Sequence, residues 1–275
     1  MNVQRIAAFS NGNEGGNPAG VVIAEELPDA SRMQAIAAEV GFSETAFATP
    51  KGEGWAVRYF SPESEVPFCG HATIALGAAL AMENGDGVFP LSLTASEITV
   101  EGRAEKGGVA AALQSPPTQS QPADPNMLEE ALLLFGYVRD DLDMRIPPAF
   151  AEGGATHLVI ALKERSKLSA MNYDLDAGRE FMNRHGLVTV ALVFARADNL
   201  FDVRNPFASG GVLEDPATGA AAAAFSGYLR DIDWPHGGAI NIVQGEDMGM
   251  KSLLRTEIPI EKGSSIRVSG HARVM

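Results

Sequence analysis

Two segments of this chain are apolar on every side. Ile74-Ala-Leu-Gly-Ala-Ala-Leu-Ala81 and Ala220-Ala-Ala-Ala-Ala-Phe-Ser-Gly-Tyr-Leu229 read as helices without a polar face. Such a helix must be surrounded on all sides, and its alanines and glycines let neighbouring backbones come close. A β-sheet wrapped around one central helix meets that demand, and two such segments ask for two such wraps. An internal echo points the same way. Val57-Arg58 and Val203-Arg204 stand 146 positions apart, as do Cys69 and Asp215 (203 − 57 and 215 − 69). At that offset Cys69-Gly-His-Ala-Thr73 overlies Asp215-Pro-Ala-Thr-Gly219, just ahead of the two apolar segments. A duplicated unit is the expected architecture, and 275 residues are enough for two cores.

The remaining sequence carries its own punctuation. Residues 3–9 and 19–24 read as short strands around a Gly/Asn-rich loop. A helix follows, capped by Asp29 and ended by Gly41, with Met33, Ile36, Ala37 and Val40 on one face. Residues 46–49 and 55–60 read as a hairpin closed by Lys51-Gly-Glu-Gly54, and residues 92–113 as a strand meander with a Gly107-Gly108 turn. Pro116, Pro117, Pro122 and Pro125 crowd residues 115–126, which predicts a linker between domains. Beyond it, residues 128–135 read as a helix ended by Gly136. Apolar strands at 157–162 and 188–195 flank a helix near 176–185, and residues 238–244 and 253–275 return to strand-like alternation.

Composition narrows the function. Asp+Glu is 35 against Lys+Arg 21, a net charge of −14. That surface repels phosphate backbones and anionic membranes, so neither nucleic acid nor membrane is an expected partner. The single cysteine, Cys69, rules out an internal disulfide and an all-cysteine metal cage. Met1-Asn-Val-Gln-Arg5 does not read as a leader, and no apolar run approaches the roughly 20 residues of a membrane span. A soluble cytoplasmic protein is expected.

Several residues could carry chemistry. The first turn of a buried helix offers unpaired N–H groups and a partial positive charge. Gly70-His71 and Pro216-Ala-Thr218-Gly219 stand where two such turns would begin, and two helix starts facing a cleft between domains would suit a carboxylate. His71 at a helix start is expected to stay neutral and to suit a proton relay; a structural histidine is the plainer alternative. Glu44, in Phe42-Ser-Glu-Thr-Ala-Phe47, is either a partly buried general base or a solvated loop residue, and spacing does not choose. Asp215 could cap the second helix with Pro216 at its first position, with or without a catalytic role. Cys69 holds the equivalent place in the first half. His157, His185, His236 and His271 show no metal-ligand spacing with one another or with His71, so no metal site is expected. The loop at residues 12–20 has no G-x-G-x-x-G, and G-x-S-x-G is missing throughout.

Taken together the segments resemble the phenazine-biosynthesis PhzF family. The matching pieces are Gly16-Asn-Pro-Ala-Gly20, Ser43-Glu-Thr-Ala-Phe47, Arg58-Tyr-Phe-Ser-Pro62, Phe68-Cys-Gly-His-Ala-Thr73, Glu214-Asp-Pro-Ala-Thr-Gly219 and Val268-Ser-Gly-x-Ala272, in family order. The resemblance implies an α/β (α+β) fold like diaminopimelate epimerase. It would have two pseudo-symmetric domains, each an incomplete mixed β-barrel around a central apolar helix, with the active site in the interdomain cleft. The domains would be 1–115 and 116–261, with a strand at about 262–275 returning to the first. The resemblance favours Glu44, His71 and Asp215 as catalytic residues, and Asn17, Gly70, Thr218 and Gly219 as the substrate-binding set. The family prototype moves a proton on a dihydro-hydroxyanthranilate without a cofactor. One departure bears on substrate: Gly249-Met-Lys251 stands where the family often has Gly-Arg-Pro.

The expected function is a biosynthetic isomerase or epimerase, free of cofactor, acting on a small carboxylate-bearing metabolite. A second reading is a binding or interaction protein on the same scaffold, and a third is an amino-acid racemase using Cys69 with Asp215. Such a chain is compatible with a homodimer, though no segment marks an interface.

Overall fold

The computed structural model describes residues 1–94, 97–105 and 108–275, and the chain clusters into two compact units. Unit 1 comprises Met1–Gln114 with Ser269–Met275, and unit 2 comprises Ser115–Val268. The expected Gly107-Gly108 turn falls in part on residue 107, outside the described residues.

Unit 1 begins with β1 (Gln4–Ala8), β2 (Asn17–Ile23), α1 (Ala30–Val40), β3 (Thr45–Lys51) and β4 (Gly54–Phe60). It continues through β5 (Glu65–Val66), α2 (Gly70–Asn84), β6 (Gly87–Ser92), β7 (Glu97–Glu105) and β8 (Gly108–Pro117). The last strand of the chain, β17 (Ser265–Val274), ends here, with Ala272 to Val274 antiparallel to Ala8 to Ile6 of β1. From β1 the pairing runs to β2, β3, β4, β6, β7 and β8, and β8 also pairs with β17, so the ring of strands is closed. α2 lies inside it, with every residue from His71 to Ala81 buried. α1 packs on the outside: Met33, Ile36 and Ala37 meet Val22, Phe47 and Phe60, while Asp29 caps the Arg32 amide and Gly41 ends the helix at φ 71°.

Glycines set the distance between α2 and its wall. An added Cβ at Gly102 of β7 would sit 2.2 Å from the Gly77 carbonyl oxygen, and one at Gly77 would sit 2.4 Å from Val100 Cγ2. Helix and strand backbones are therefore in direct contact, which no larger residue permits.

Unit 2 holds β9 (Gln119–Pro122), α3 (Pro125–Phe135), β10 (Ala149–Glu152), β11 (Thr156–Ala161), α4 (Arg165–Ser169) and α5 (Leu175–Arg184). Then come β12 (Thr189–Ala197), β13 (Leu200–Phe207), β14 (Val212–Asp215), α6 (Gly219–Asp231), β15 (Ala239–Gln244) and β16 (Ser252–Glu257). Its sheet runs β9–β10–β11–β12–β13–β15–β16, with β14 also on β13. α6 is buried along almost its whole length, as its apolar composition requires. α3 and α5 cover another face through Leu128, Leu132, Phe135, Phe181 and Met182.

The proline-rich stretch begins where the two units divide, and it holds regular structure instead of an irregular linker. Pro116 and Pro117 end β8, Pro122 ends β9, and Pro125 is the first residue of α3 behind the Asp124 cap. Proline is tolerated at strand ends and in a first helical turn, where its missing N–H costs little. α4 had no signal in the sequence pattern. Among the described residues, no helix is long and apolar enough to cross a membrane.

The two halves echo each other in side chains as well. Arg58 of β4 pairs with Glu65 of β5 at 2.6 Å, and Arg204 of β13 pairs with Glu214 of β14 at 2.5 Å. The helix starts, however, stand 149 positions apart (219 − 70), so Gly219 and not Pro216 answers to Gly70.

His157 of β11 is fully buried, and burial alone pushes its imidazole down to about 3. The unfolded chain takes up a proton below about pH 6.5, and the folded chain does not until about pH 3. Stability is therefore lost as pH falls through that window. Going from pH 7 to pH 5 is expected to cost about 2 kcal/mol through this group. Denaturant unfolding at the two pH values measures it. A His157→Asn protein with the same pH sensitivity would contradict the assignment.

Candidate active site

The tip of α2 gathers the first group of candidates. Cys69 is the N-cap, in extended conformation (φ −143°, ψ 117°), and makes no side-chain capping bond. The helix start is held from below instead. The Tyr59 hydroxyl lies 2.7 Å from Thr73 Oγ1, which donates to the Cys69 carbonyl at 2.7 Å. Burial pushes the Tyr59 phenol up, so it stays a neutral hydrogen-bonding group. The sequence folds this way because β4 and α2 are both core elements: Tyr59 and Thr73 face each other with 1% and 0% exposure.

His71 therefore leaves the helix at a set angle, and it is buried. Its Nε2 lies 3.4 Å from Glu44 Oε2 and 3.3 Å from Ser43 Oγ, and its Nδ1 lies 3.3 Å from Cys69 Sγ. Glu44 precedes β3 and is anchored by its backbone, whose carbonyl accepts from the Gly20 N–H at 3.1 Å. β2 can approach that closely because Gly20 has no side chain; a Cβ there would meet Thr45 Oγ1 at 2.6 Å. The Glu44 side chain is 13% exposed. The open alternative is thus decided as to location: Glu44 is partly buried against an imidazole, not solvated in a loop.

Glu44, Cys69 and His71 each offer a ligand-type atom, and the three atoms lie within 4.8 Å of one another. Histidine spacing predicted no metal set, because Glu44 reaches the cluster only through the fold. The donor types are ones that Zn²⁺ accepts. They are equally an acid–base set, since a carboxylate, an imidazole and a thiol in mutual reach can all pass protons.

A second group lies at the start of α6. Asp215 is not the helix cap: it ends β14, and Thr218 is the cap residue. The Thr218 hydroxyl donates to Asp215 Oδ2 at 2.6 Å. Gln244, at the end of β15, clamps the turn from the side. Its Nε2 donates to the Asp215 carbonyl at 2.7 Å, and its Oε1 accepts from the Thr218 N–H at 3.2 Å. The Thr218 hydroxyl and N–H are thus both engaged, by Asp215 and Gln244, which leaves Gly219 as the first helical amide. Sequence reading missed Gln244. Its signal was the following Gly245, at φ 72°, where a Cβ would strike Met250 and Pro216 carbonyl oxygens at 2.5 and 2.7 Å. Asn17 opens β2 opposite Ala8 and is 2% exposed. Gly70 is the first residue of α2, as expected.

Comparison with known proteins identifies the family. The phenazine biosynthesis-like protein family (PhzC-PhzF) matches residues 6–275. The trans-2,3-dihydro-3-hydroxyanthranilate isomerase of Pseudomonas aeruginosa is 32% identical, over 97% of this chain and 94% of that protein. An uncharacterized isomerase of Mesorhizobium japonicum is 31% identical, over 96% of this chain and 93% of its own. Among solved structures, a predicted epimerase of Pseudomonas aeruginosa superposes with a TM-score of 0.86 at 22% identity, covering 99% of this chain and 96% of that one. With the motifs in order and the match running the length of both units, the chain belongs to the phenazine biosynthesis-like PhzF family and is an isomerase.

Proposed function

We propose that the protein is a cofactor-independent isomerase that moves a proton on a small carboxylate-bearing metabolite by general acid–base catalysis. The observation that carries this reading is the Glu44–His71 contact of 3.4 Å at the tip of a buried helix. A base needs a positioned carboxylate in a drying environment, and a relay needs a second titratable group in reach. Glu44 takes a proton from a carbon of the substrate, and its neighbour His71 accepts or returns it. The first-turn amides of α2 at Gly70 and His71 bind the substrate carboxylate and stabilise charge that develops beside it. Asp215, with its Oδ2 held by Thr218, is the second proton-transfer group. Gly219 and Asn17 contribute further substrate contacts.

The name of the Pseudomonas relative makes trans-2,3-dihydro-3-hydroxyanthranilate the first substrate to offer. Proton NMR in deuterated water is expected to show one solvent deuteron entering the product. Binding of that acid or related carboxylates with no exchange would favour the non-catalytic reading. Dialysis against a chelator is expected to leave turnover unchanged; a loss that Zn²⁺ restores would overturn the cofactor-independent mechanism.

A specific contact also supports the racemase alternative: Cys69 Sγ lies 3.3 Å from His71 Nδ1, and an imidazole can activate a thiol. The two readings separate on one variant. Cys69→Ala is expected to keep turnover within a few-fold if Glu44 is the base. If the thiol is the base, the same variant loses activity by roughly a hundred-fold or more.

A further inference from the structure

Gln244, at the end of β15, is 1% exposed and commits its whole side-chain amide to the turn that leads into α6. Its Nε2 lies 2.7 Å from the Asp215 carbonyl oxygen and 3.0 Å from Thr218 Oγ1, and its Oε1 lies 3.2 Å from the Thr218 backbone nitrogen. The Thr218 hydroxyl lies 2.6 Å from Asp215 Oδ2.

These contacts fix where each proton sits. A backbone N–H can only donate and a carbonyl oxygen can only accept. Oε1 must therefore face the Thr218 nitrogen, and Nε2 must face the Asp215 carbonyl, so the amide cannot be turned over. The second hydrogen of Nε2 then goes to Thr218 Oγ1. With a donor already aimed at it, the Thr218 hydroxyl turns its own hydrogen to Asp215 Oδ2. A hydroxyl that donates to a carboxylate at that distance makes a charge-assisted bond, stronger than a neutral one. The incoming Gln244 N–H polarises it further.

One strand carries both ends of this line. Gln244 pairs with Val203 of β13 on one side and with Ser252 of β16 on the other. Asp215 of β14 pairs with Asn205, two residues further along β13. Gly245 follows at φ 72°, packed so closely that an added Cβ would meet the Pro216 carbonyl oxygen at 2.7 Å. A side chain seated between strands holds a reacting group more precisely than one on a loop does.

We propose that Gln244 is a positioning residue for Asp215: it directs the Thr218 hydroxyl onto the Asp215 carboxylate and holds the α6 start through the Thr218 N–H. Gln244 itself touches no reacting atom. This role rests on the reading of Asp215 as a proton-transfer group, but the hydrogen-bonded line can be measured without any substrate.

Proton–nitrogen NMR of the labelled full chain tests the line. Both Gln244 side-chain amide protons are expected downfield of free glutamine and protected from exchange, and the Thr218 hydroxyl proton is expected to exchange slowly enough to be seen. Thr218→Val should move one Gln244 proton upfield and leave the other. Asp215→Ala should keep both, since the carbonyl they reach is backbone, and should release the Thr218 hydroxyl to rapid exchange. Gln244 protons that exchange like those of free glutamine, or that ignore Thr218→Val, overturn the proposal. Turnover tests the role. Gln244→Glu keeps an acceptor for the Thr218 N–H and loses both donors, so kcat is expected to fall roughly ten- to hundred-fold while KM stays within about three-fold. Gln244→Leu, which buries no charge, should lose at least as much kcat. A variant of either kind that folds, by circular dichroism, and keeps the parent kcat overturns the positioning role. If that happens while Asp215→Asn is inactive, the reading of Asp215 survives. If the NMR signatures appear and Asp215→Asn turns over at the parent rate, the catalytic reading of Asp215 fails while the hydrogen-bonded line stands.

Discussion

In the Glu44→Gln protein, turnover and solvent-deuterium incorporation are expected to fall by roughly a hundred- to ten-thousand-fold with the fold intact. The substitution keeps the shape and the backbone anchor to Gly20 and removes only the basic oxygen beside His71. A group that acts in proton transfer is worth that range, and the Gln amide cannot accept a proton at neutral pH. The loss should appear in kcat far more than in KM, because the α2 amides proposed to bind the substrate carboxylate are untouched. Circular dichroism and the thermal midpoint should match the parent. A variant that retained more than about a tenth of the parent rate would remove Glu44 from the base role and leave Cys69 or Asp215 to fill it.

Gly102→Ala should lower stability by about 3 kcal/mol, a drop in thermal midpoint on the order of 10 °C. The methyl group would meet the Gly77 carbonyl oxygen at 2.2 Å and Ala81 Cβ at 2.8 Å. Neither neighbour can rotate away, since one is helix backbone and the other a one-carbon side chain, so α2 or β7 must shift within a closed ring of strands. Gly87→Ala is the control. Gly87 is also a strand glycine of unit 1, but its added Cβ would meet nothing closer than Phe89 at 3.5 Å. That variant should be within about 0.5 kcal/mol of the parent. Equal midpoints for the two variants would show that the helix is not clamped at Gly102.

Legibility followed the range of the interactions. Helix α1 was readable because its cap, its stripe and its terminal glycine are all local. The hairpin of β3 and β4 was readable for the same reason, although the strands run further than expected and Lys51 and Gly54, read as part of the loop, face each other as a strand pair. Prolines 116 to 125 misled, because proline reports only the missing N–H at its own position, and strand ends and a first helical turn spare that N–H as readily as a linker does. Asp215-Pro216 misled similarly. It has the local pattern of a cap, but Gln244 stabilises a longer turn and delays the helix to Gly219.

Of the site, residue types near the helix starts were visible, while their roles were not. Ser43-Glu44 and Cys69-Gly-His71 lie far apart in the chain, and nothing local links them. Their meeting depends on Gly20 drawing β2 against β3 and on Tyr59 and Thr73 seating α2.

The amino-acid sequence alone required two buried helices, because a helix with no polar face cannot turn any side to water wherever it is placed. It could not say which carboxylate stands beside His71, where α6 begins, or how close α2 lies to β7. Those are matters of a few ångströms between residues distant in the chain, and only the packed fold sets such distances.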